Sequence, residues 1–397
     1  MNIIILDVHH PEDGRINRHI KYMQSLGYSV FHININRYFS FLDTSKFSLF
    51  GETGLVVTVG DFSDSIFNRI KLLFKFISPL LALKIYQLYR KLLSDSSEFT
   101  IIHVHDYELL LTAQYLRVLL FGKTKIVYDR HEYLENLKGE HILFDRIPII
   151  YERIAARWID GLVDISESHL EKIKKFFPFS QKIVIPNYPD PSLIKFVGIE
   201  KKIENIDNDK ISIVYFGSLD INLDRDISLT LEVIEALLRL NSNVLAYVGG
   251  NTSNHLILDK IKLLNDKYPD QFSYLGYVSN KDVLYYTSNA TLGLFLLKSD
   301  NCISGSSNKI YEYLMYGVIP IVRADLEIST QLKECSLIFS KFDNNKKIIS
   351  TCSHLLSQKE KMKEMAYKSW SNGEMFSFDF VKERYNNLYQ SLLQVRN

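Results

Sequence analysis

A short polar segment that opens a predicted helix carries the residues with the most informative chemistry. Ser307 and Asn308 precede Lys309 and Glu312, and Gly317 closes the helix before an apolar strand. Lys309 and Glu312 are three residues apart, so they share one helix face. Because helix N-termini bind anions, the lysine could contact a diphosphate and the carboxylate a ribose, the two halves of a nucleotide. A surface ion pair on an ordinary helix explains the same spacing, and this segment alone leaves both interpretations open.

The elements that must position these residues follow from the hydrophobic pattern. Short apolar runs alternate with helical segments, which predicts parallel sheets whose strands are separated by helices. Several runs are apolar throughout, as expected of strands covered on both faces. The predicted strands are 2–6, 28–33, 55–59, 100–104, 125–129, 161–165, 211–216, 244–248, 272–276, 291–296 and 319–323. Parallel α/β sheets bind ligands beyond the carboxyl ends of their strands, so functional residues are expected there.

A proline cluster near the middle of the chain predicts the boundary between two domains of similar size. Three of the nine prolines lie between Pro186 and Pro191, and residues 199–210 are polar and charged. This pattern is typical of an interdomain linker. The predicted parts are an N-terminal domain 1–190, a linker 191–210, a C-terminal domain 211–374, and a helix within 375–397 that packs back on the first domain.

Length, charge and cysteine content exclude several classes of protein. The 397 residues, 46% of them hydrophobic, suit two domains. A net charge of +1 argues against a nucleic-acid-binding protein, because such proteins carry a strongly basic face. Three cysteines without CxxC spacing indicate neither a disulfide framework nor a zinc knuckle. The first residues lack a signal-peptide pattern, and no apolar stretch reaches the ~18–20 residues that span a bilayer. We therefore expect a cytoplasmic protein.

Polar residues follow the predicted strands at several places. They are 7–15 after the first strand, 103–106 at the fourth, 129–133 at the fifth, and Gly217, Ser218 and Arg225 after the first strand of the second domain. Arg225 could bind phosphate, which a planar guanidinium does well. Its flanking Asp224 and Asp226 give an Asp-x-Asp match that is too short to indicate a metal, so we expect a solvated loop. His131 is either a core histidine or a cleft residue, and its charged neighbours favour the cleft.

Two further patterns remain weak. His103 and His105 with Asp106 resemble a metal cluster, but residues i and i+2 share one strand face and no further ligand is evident. We therefore expect no metal and no cofactor. Gly14 is a lone loop glycine, which is too little for a dinucleotide-binding fingerprint. The sequence also lacks a Gly-x-Ser-x-Gly elbow and a Gly-Lys-Ser/Thr phosphate loop, so serine hydrolases of the usual pattern and P-loop enzymes are poorly supported.

These segments together resemble the GT-B glycosyltransferases of the retaining family 4 type, and the resemblance covers nearly the whole chain. Residues 103–106 with 127–132 are similar to an "HxHD … YDxHE" pairing of one bacterial branch. Residues 215–219 with Arg225 resemble that family's phosphate loop, and 306–313 resemble its "PNKxxEY" motif. The resemblance implies two Rossmann-like doubly wound domains that face a cleft, with a nucleotide sugar bound mainly by the second.

The resemblance also implies catalytic roles for His131, Glu312, Arg225 and Lys309. Glu312 would hold the ribose, and Arg225 and Lys309 would neutralise the diphosphate. His131 would contact the transferred sugar. The other implied donor-binding positions are Gly14, Gly217, Ser218, Tyr277, Val278, Ser307 and Asn308. Transfer would proceed with retention and without a metal, from a nucleotide sugar to a glycan or lipid-linked acceptor of a bacterial surface polysaccharide or glycolipid.

Some positions depart from the family pattern, and other functions stay open. Ser304 stands where many relatives carry a first glutamate, and the first loop has Gly14 instead of a glycine pair. The lysine often found after the phosphate arginine is absent, and Thr230 is the position to inspect. A hydrolysing sugar-nucleotide 2-epimerase is one alternative, and a non-catalytic partner or scaffold of another transferase is the second.

The acceptor domain contains an acid-free basic stretch. Residues 65–94 hold six lysines or arginines among leucine, phenylalanine, isoleucine and tyrosine. Such a stretch could rest on an anionic membrane, which would place the protein at the inner face of the cell membrane. Ordinary domain helices with their lysines facing water explain the same composition.

Overall fold

Two parallel sheets organise the chain in the computed structural model. The structure describes residues 1–9, 13–35, 54–56, 79–92, 99–121, 124–131, 134, 142–192, 198–221, 223–299, 307–324, 326 and 328–394. The chain divides into two units, one of Met1–Pro186 with Val381–Asn397 and one of Asn187–Phe380.

The first unit is built on a sheet of seven strands in the order β3-β2-β1-β4-β5-β6-β7, and all its strand pairs are parallel. The strands are β1 (Asn2–Asp7), β2 (Ser29–Asn34), β3 (Gly54–Val56), β4 (Thr100–His105), β5 (Thr124–Arg130), β6 (Gly161–Asp164) and β7 (Gln181–Val184). Ile3 to Leu6 of β1 are completely buried, since helices cover both faces of a parallel sheet.

Helices connect these strands, and polar caps define where some of them begin. They are α1 (Gly14–Ser25), α2 (Pro79–Leu92), α3 (Leu110–Leu119), α4 (Ile142–Ala155) and α5 (Glu167–Ile173). The Asp13 carboxylate accepts hydrogen bonds from the backbone N–H groups of Arg15 and Ile16, which fixes the start of α1 directly after the β1 loop.

The second unit is built on a parallel sheet of six strands in the order β10-β9-β8-β11-β12-β13. The strands are β8 (Ile211–Phe216), β9 (Val244–Gly249), β10 (Phe272–Tyr274), β11 (Leu292–Leu296), β12 (Ile319–Arg323) and β13 (Leu337–Phe339). Its helices are α6 (Ile199–Asp207), α7 (Ile227–Leu240), α8 (His255–Lys267), α9 (Asn280–Asn289), α10 (Asn308–Met315), α11 (Ser329–Leu332), α12 (Asn345–Leu356) and α13 (Lys359–Gly373).

The last helix, α14 (Glu383–Gln394), belongs to the first unit. It buries Tyr385, Leu388, Tyr389 and Leu392. The packing on β6 is close, because a Cβ added to Gly161 would lie 3.3 Å from a methyl carbon of Leu388. The predicted doubly wound α/β architecture is therefore confirmed, including the return of the C-terminal helix to the first domain.

Some predicted bounds differ from the structure. Part of the segment predicted as a linker, 191–210, forms α6, whose Ile199 and Ile206 are buried in the core of the second unit while Glu200 and Glu204 face solvent. Its polar residues thus form the outer face of an amphipathic helix. The short strands β7 and β13 were not predicted, because both lie at sheet edges and lack a long apolar run.

The basic stretch 65–94 lies largely outside the described residues, apart from α2. Within the part of the chain that the structure describes, no helix combines the length and apolar character needed to cross a bilayer.

Candidate functional site

The strand order of the second sheet changes direction between β8 and β11. The chain runs outward from β8 through β9 to β10, then returns to the other side of β8 and runs through β11 and β12 to β13. The loops after β8 and β11 therefore leave in opposite directions and open a crevice, which is where ligands bind in doubly wound sheets. Gly217 and Ser218 directly follow β8, as predicted from the sequence.

Glycines let the loops after β8, β9 and β10 approach each other closely. The N–H of Gly217 donates to the Gly249 oxygen over 3.0 Å, and the N–H of Gly250 donates to the Gly276 oxygen over 2.7 Å. A Cβ on Gly250 would lie 1.8 Å from the Gly217 oxygen, and one on Gly249 would lie 2.7 Å from the Val278 side chain. The structure therefore brings Gly217 and Val278, two predicted donor-binding residues, into one group of loops.

Arg225 is fixed beside this crevice by the backbone on both sides of it. It forms an antiparallel bridge with Leu297, just after β11. The N–H of Asp226 donates to Leu296 over 2.9 Å, and the N–H of Lys298 donates to Asp224 over 2.8 Å. These residues are thus an ordered strand-like pair at the end of β11, not the freely solvated loop predicted for 224–226.

The Arg225 guanidinium lies in a partly buried position. Its central carbon is 4.2 Å from the centre of the Phe295 ring. Among the described residues, Nη1 is buried without a hydrogen-bond acceptor, and the Asp224 carboxylate is 3.6 Å away. A buried guanidinium N–H that lacks an acceptor costs free energy, so this position favours an anionic ligand.

Lys309 lies against the Gly217 backbone, which joins α10 to the loop after β8. A Cβ on Gly217 would be 3.2 Å from Cε of Lys309 and 3.4 Å from its Nζ. Burial and then the nearby Arg225 charge lower the pKa of Lys309 to about 8, although Glu312 works in the opposite direction. The lowered pKa indicates that the Lys309 ammonium is kept away from water at a free-energy cost, which a bound diphosphate would offset.

The remaining predicted residues are at the start of α10, except Glu312, which lies in its middle. Ser307 has an extended backbone (φ −142°, ψ 124°), and its side chain makes no capping hydrogen bond. The first N–H groups of α10 therefore lack the usual side-chain cap. Glu312 is half-buried one turn further on. Burial and then the Glu312 carboxylate raise the pKa of both Tyr313 and Tyr316.

The first sheet has its own crevice between β1 and β4, and its polar residues are of a different kind. His9 follows β1 and lies 2.5 Å from the Asp106 carboxylate, which follows β4. His131 follows β5, its ring stacks on the His9 ring at 4.7 Å, and its backbone N–H donates to the Asp106 carboxylate over 3.2 Å. Burial alone would lower the pKa of His9, but Asp106 raises it to about 9. Burial opposes ionisation of Asp106, yet His131 and His9 outweigh it and lower that pKa to about 2.

Behind this edge lies a buried polar network centred on Asp129. Its Oδ1 accepts a hydrogen bond from Nη2 of Arg15 over 2.7 Å. Its Oδ2 accepts one from the Tyr385 hydroxyl over 2.8 Å and lies 3.4 Å from Nε2 of His103. His19 of α1 completes the network from the other side, because its Nε2 is 2.9 Å from the Tyr389 hydroxyl.

Among the described residues, three groups in this region have ligand atoms within 4.8 Å of one another, a spacing that could hold a metal ion. They are His19 with His103 and His105, His9 with Asp106 and His131, and His105 with Asp129 and His131. No third ligand beside His103 and His105 was expected from the sequence, but the structure places His19 there. The ring nitrogens of His19, His103 and His105 already have hydrogen-bond partners within the protein, so the group is complete as a hydrogen-bonded network.

Several predicted residues lie apart from these groups or contribute only backbone. Tyr277 is 70% exposed and Asn308 is also exposed. The Ser218 oxygen accepts a hydrogen bond from the Tyr215 hydroxyl over 2.8 Å. Gly14 is the first residue of α1 in the first unit. Thr230 is buried in α7 and donates to the Asp226 oxygen over 2.8 Å, so it does not replace the absent lysine. Ser304 lies outside the described residues.

The network around Asp129 was not predicted from the sequence, because its members come from four distant segments. His19 lies on the buried side of α1 and Tyr389 on that of α14, where any helix carries core residues. The available signal was the unusual number of histidines at strand ends and in the helix that follows β1. That signal indicates a polar core but not the partner of each ring.

Solved structures resemble the whole chain. Sucrose-phosphate synthase from Thermosynechococcus elongatus is 12% identical, with a TM-score of 0.74 and 99% of each chain covered. The α,α-trehalose 6-phosphate synthase from Burkholderia multivorans is 12% identical, with a TM-score of 0.67 and coverage of 98% of this chain and 96% of that one. HepE from Anabaena in complex with UDP is 13% identical, with a TM-score of 0.65 and coverage of 98% and 100%.

These likenesses identify the fold as GT-B, the fold that the sequence predicted. No protein-family model matches the sequence, and no curated protein is similar to it in sequence.

Proposed function

We propose that this protein is a glycosyltransferase that moves a sugar from a nucleotide sugar to a glycan or lipid-linked acceptor, with retention, during synthesis of a bacterial surface polysaccharide or glycolipid. The observation that carries the proposal is the pair of cations at the β8–β11 crevice. The Nη1 group of Arg225 is buried and has no hydrogen-bond acceptor among the described residues. Lys309 lies against the Gly217 backbone, and its pKa is lowered to about 8. This arrangement suits the diphosphate of a nucleotide sugar.

The chemistry depends on stabilising the leaving group. A nucleoside diphosphate gains negative charge as the glycosidic bond breaks, and fixed cations stabilise that charge without reorganisation. In our proposal Arg225 and Lys309 fill this role together with the N-terminus of α10 at Ser307 and Asn308. The reaction then needs no metal ion, because protein groups supply the positive charge. The departing diphosphate helps to deprotonate the acceptor.

The other residues contact either the nucleotide or the transferred sugar. Glu312 binds the ribose hydroxyls, one turn below the diphosphate-binding end of α10. Val278 and Tyr277 lie against the base, and Gly217 and Ser218 let the backbone approach the phosphates. In the first unit, Gly14 approaches the phosphates, while His131, at the carboxyl end of β5, acts on the transferred sugar.

UDP-sugars are the first donors to test, since HepE is described in complex with UDP and with UDP and glucose. A thermal-shift panel of UDP-, GDP-, ADP- and CMP-sugars should show one donor class that raises the melting temperature by mass action. Arg225→Ala should abolish this rise, whereas Arg239→Ala, an exposed arginine on α7, should leave it unchanged. The proposal fails if no donor stabilises the wild-type protein or if Arg225→Ala binds as well as wild type.

We also propose a peripheral contact with anionic membranes through α2. Its outer side exposes Leu80 (74%) and Leu83 (40%) beside the exposed Lys84 and Arg90. An apolar strip flanked by cations suits the interface of an anionic bilayer, where a lipid-linked acceptor resides. In a flotation assay at low salt, the wild-type protein should float with phosphatidylglycerol vesicles. The double variant Leu80→Ser with Leu83→Ser should remain in solution. Wild-type protein that stays in solution contradicts the contact.

A further inference from the structure

Six side chains of the first unit form a continuous series of polar contacts from its buried interior to the end of β5. We name this series the histidine chain, and its members in order are Asp129, His103, Tyr389, His19, His105 and His131. We propose that the histidine chain fixes the tautomer of His131, with the proton on Nε2 and a lone pair on Nδ1. The inference deepens the proposed function, since it assigns His131 the role of a hydrogen-bond or proton acceptor.

The histidine chain begins at a group that can only accept hydrogen bonds. Asp129 is completely buried, and its Oδ1 accepts from Arg15 Nη2 over 2.7 Å. Burial opposes ionisation, but the Arg15 charge and the contact with His103 keep the pKa of Asp129 well below its usual value. An ionised carboxylate has no proton to donate. The His103 nitrogen that faces Asp129, Nε2 at 3.4 Å, must therefore carry a proton.

Neutral rings pass this polarity along the series. A neutral imidazole has one N–H and one lone pair, so a proton on Nε2 of His103 leaves its Nδ1 as an acceptor. The Tyr389 hydroxyl, 2.7 Å from that Nδ1, must donate to it. The Tyr389 oxygen then accepts from Nε2 of His19 at 2.9 Å. Burial lowers the pKa of both His103 and His19, so both rings are neutral at pH 7.

The last two contacts carry the same polarity to the end of β5. With its proton on Nε2, His19 accepts at Nδ1 from Nε2 of His105, 3.4 Å away. His105 then accepts at Nδ1 from Nε2 of His131 over 2.8 Å. The remaining nitrogen of His131, Nδ1, holds the lone pair. Burial also lowers the pKa of His105 and His131, so neither ring takes up a second proton at pH 7.

One competing arrangement of protons exists at His105. Nδ1 of His105 lies 3.6 Å from Oδ2 of Asp129, and a proton placed there would reverse the polarity at His131. That distance exceeds a hydrogen bond, whereas the contact with His131 is 2.8 Å. The geometry therefore favours His131 as the donor to His105.

This assignment gives the buried members of the series a function beyond packing. His103, Tyr389, His19 and His105 are positioning residues, because they act only through His131. His131 is half-buried at the end of β5, and a lone pair on an imidazole nitrogen is a group that accepts a hydrogen bond from a hydroxyl. A catalytic histidine in the wrong tautomer loses much of its effect, by a factor of about 10⁴ where a single carboxylate fixes the tautomer.

Nitrogen NMR of ¹⁵N-histidine-labelled protein tests the proposal directly, because the shift of a ring nitrogen reports whether it carries a proton. The His131 signals are identified by their loss in His131→Gln. Without donor at pH 7, wild-type His131 should have a protonated Nε2 and an unprotonated Nδ1. A protonated Nδ1, or a metal ion bound to these rings in the purified protein, would overturn the assignment whether or not the protein transfers sugar.

Tyr389→Phe interrupts the series by removing one hydroxyl, and Tyr385→Phe is the matched control. Tyr385 lies on the same helix and its hydroxyl donates to Asp129, but it is not one of the six members. We expect Tyr389→Phe to give both tautomers of His131 and to lower kcat roughly tenfold with an unchanged KM for the donor. Tyr385→Phe should keep the wild-type tautomer. A single, unchanged tautomer in folded Tyr389→Phe would contradict the proposal, and the tautomer readout needs no turnover.

Discussion

Arg225 and Lys309 are two cations that lie near each other in a partly buried place. Burial is the main cause that disfavours the charge on Lys309, and repulsion by Arg225 adds to it to a lesser degree, as the lowered pKa of Lys309 records. Glu312 offsets only part of this cost. Side chains with such an unfavourable balance are often ligand-binding groups, since a bound anion removes the repulsion.

The affinity for nucleoside diphosphate should depend on the charge of Lys309. The lysine binds an anion only when protonated, so we expect an unchanged Kd up to pH of about 8. Above that pH the affinity should fall, by at most about tenfold per pH unit. Calorimetry with UDP from pH 7.5 to 9.5 checks this. Lys309→Arg should bind with little pH dependence, because arginine stays charged. An identical pH dependence in both proteins would contradict the role of Lys309.

Glu312→Ala should weaken nucleotide binding roughly 10- to 100-fold, the worth of one to two hydrogen bonds between a carboxylate and ribose hydroxyls. The fold should be retained, since Glu312 is half-buried at the exposed side of α10. Calorimetry measures the affinity and circular dichroism the fold. Glu200→Ala, an exposed glutamate on α6 of the same unit, is the control. Unchanged affinity in Glu312→Ala would mean that the ribose binds elsewhere.

His131→Ala should lower turnover more than nucleotide affinity, because we place His131 at the transferred sugar and the nucleotide at the second sheet. Losing a general base or a positioned acceptor commonly costs about 10²–10⁴ in rate. Steady-state kinetics and calorimetry on one preparation separate the two quantities. A large loss of affinity with intact turnover would remove His131 from the sugar site.

At the scale of elements, the loops after β8 and β9 are held in place by close backbone contacts. Gly250 has φ +146°, and its N–H is used in the contact with Gly276. The same close approach orders Gly217, on which Lys309 rests. The loop geometry therefore links the sheet to the cation pair.

Gly250→Ala should both destabilise the protein and weaken nucleotide binding, since the new Cβ would lie 1.8 Å from the Gly217 oxygen and force the loops apart. Gly276→Ala is a matched control, because Gly276 has φ +61° and no atom lies within 4 Å of its Cβ. The control should lose only about 1–2 kcal/mol for the left-handed backbone and keep its affinity. Denaturation measures the stability of both variants, and calorimetry measures their affinity for the nucleotide. Equal affinities in the two variants would mean that the loop geometry does not affect nucleotide binding.

For the whole molecule, the buried histidines predict an acid-sensitive fold. His19, His103, His105 and His131 have a lowered pKa when folded, with burial the main cause in each. A histidine of this kind takes up a proton more readily when unfolded, so its stabilising effect is complete above pH 6.5 and is lost as the pH falls below it. Each contributes up to about 1.4 kcal/mol per pH unit in that range.

The stability of the first unit against thermal unfolding should therefore fall steeply as the pH is lowered from 6.5 to 5.5. Unfolding in this range should take up more than one proton. Calorimetric scans at several pH values give the proton uptake from the slope of stability against pH. His354→Gln, which removes an exposed histidine from the second unit, should leave the slope unchanged. A slope below one proton would mean that the buried rings are already charged in the folded protein.

The sequence by itself determined the two α/β domains, most strands and the cation and carboxylate on α10. These depend on local signals, since an apolar run of four to seven residues, a glycine at a turn or a spacing of three on a helix is visible without any partner. The edge strands β7 and β13 were not predicted because they have little apolar pattern. Helix α6 was not predicted because most of its residues are polar and only a few, including two isoleucines, are buried.

Only the tertiary structure decided the polar core of the first unit. Asp129, His19, His103 and Tyr389 come from β5, α1, β4 and α14, and the last two are separated by 286 residues. The sequence names each residue, but a hydrogen bond depends on two atoms meeting at about 3 Å. Packing of the C-terminal helix on the first sheet brings them together, and no local pattern along the chain encodes that distance.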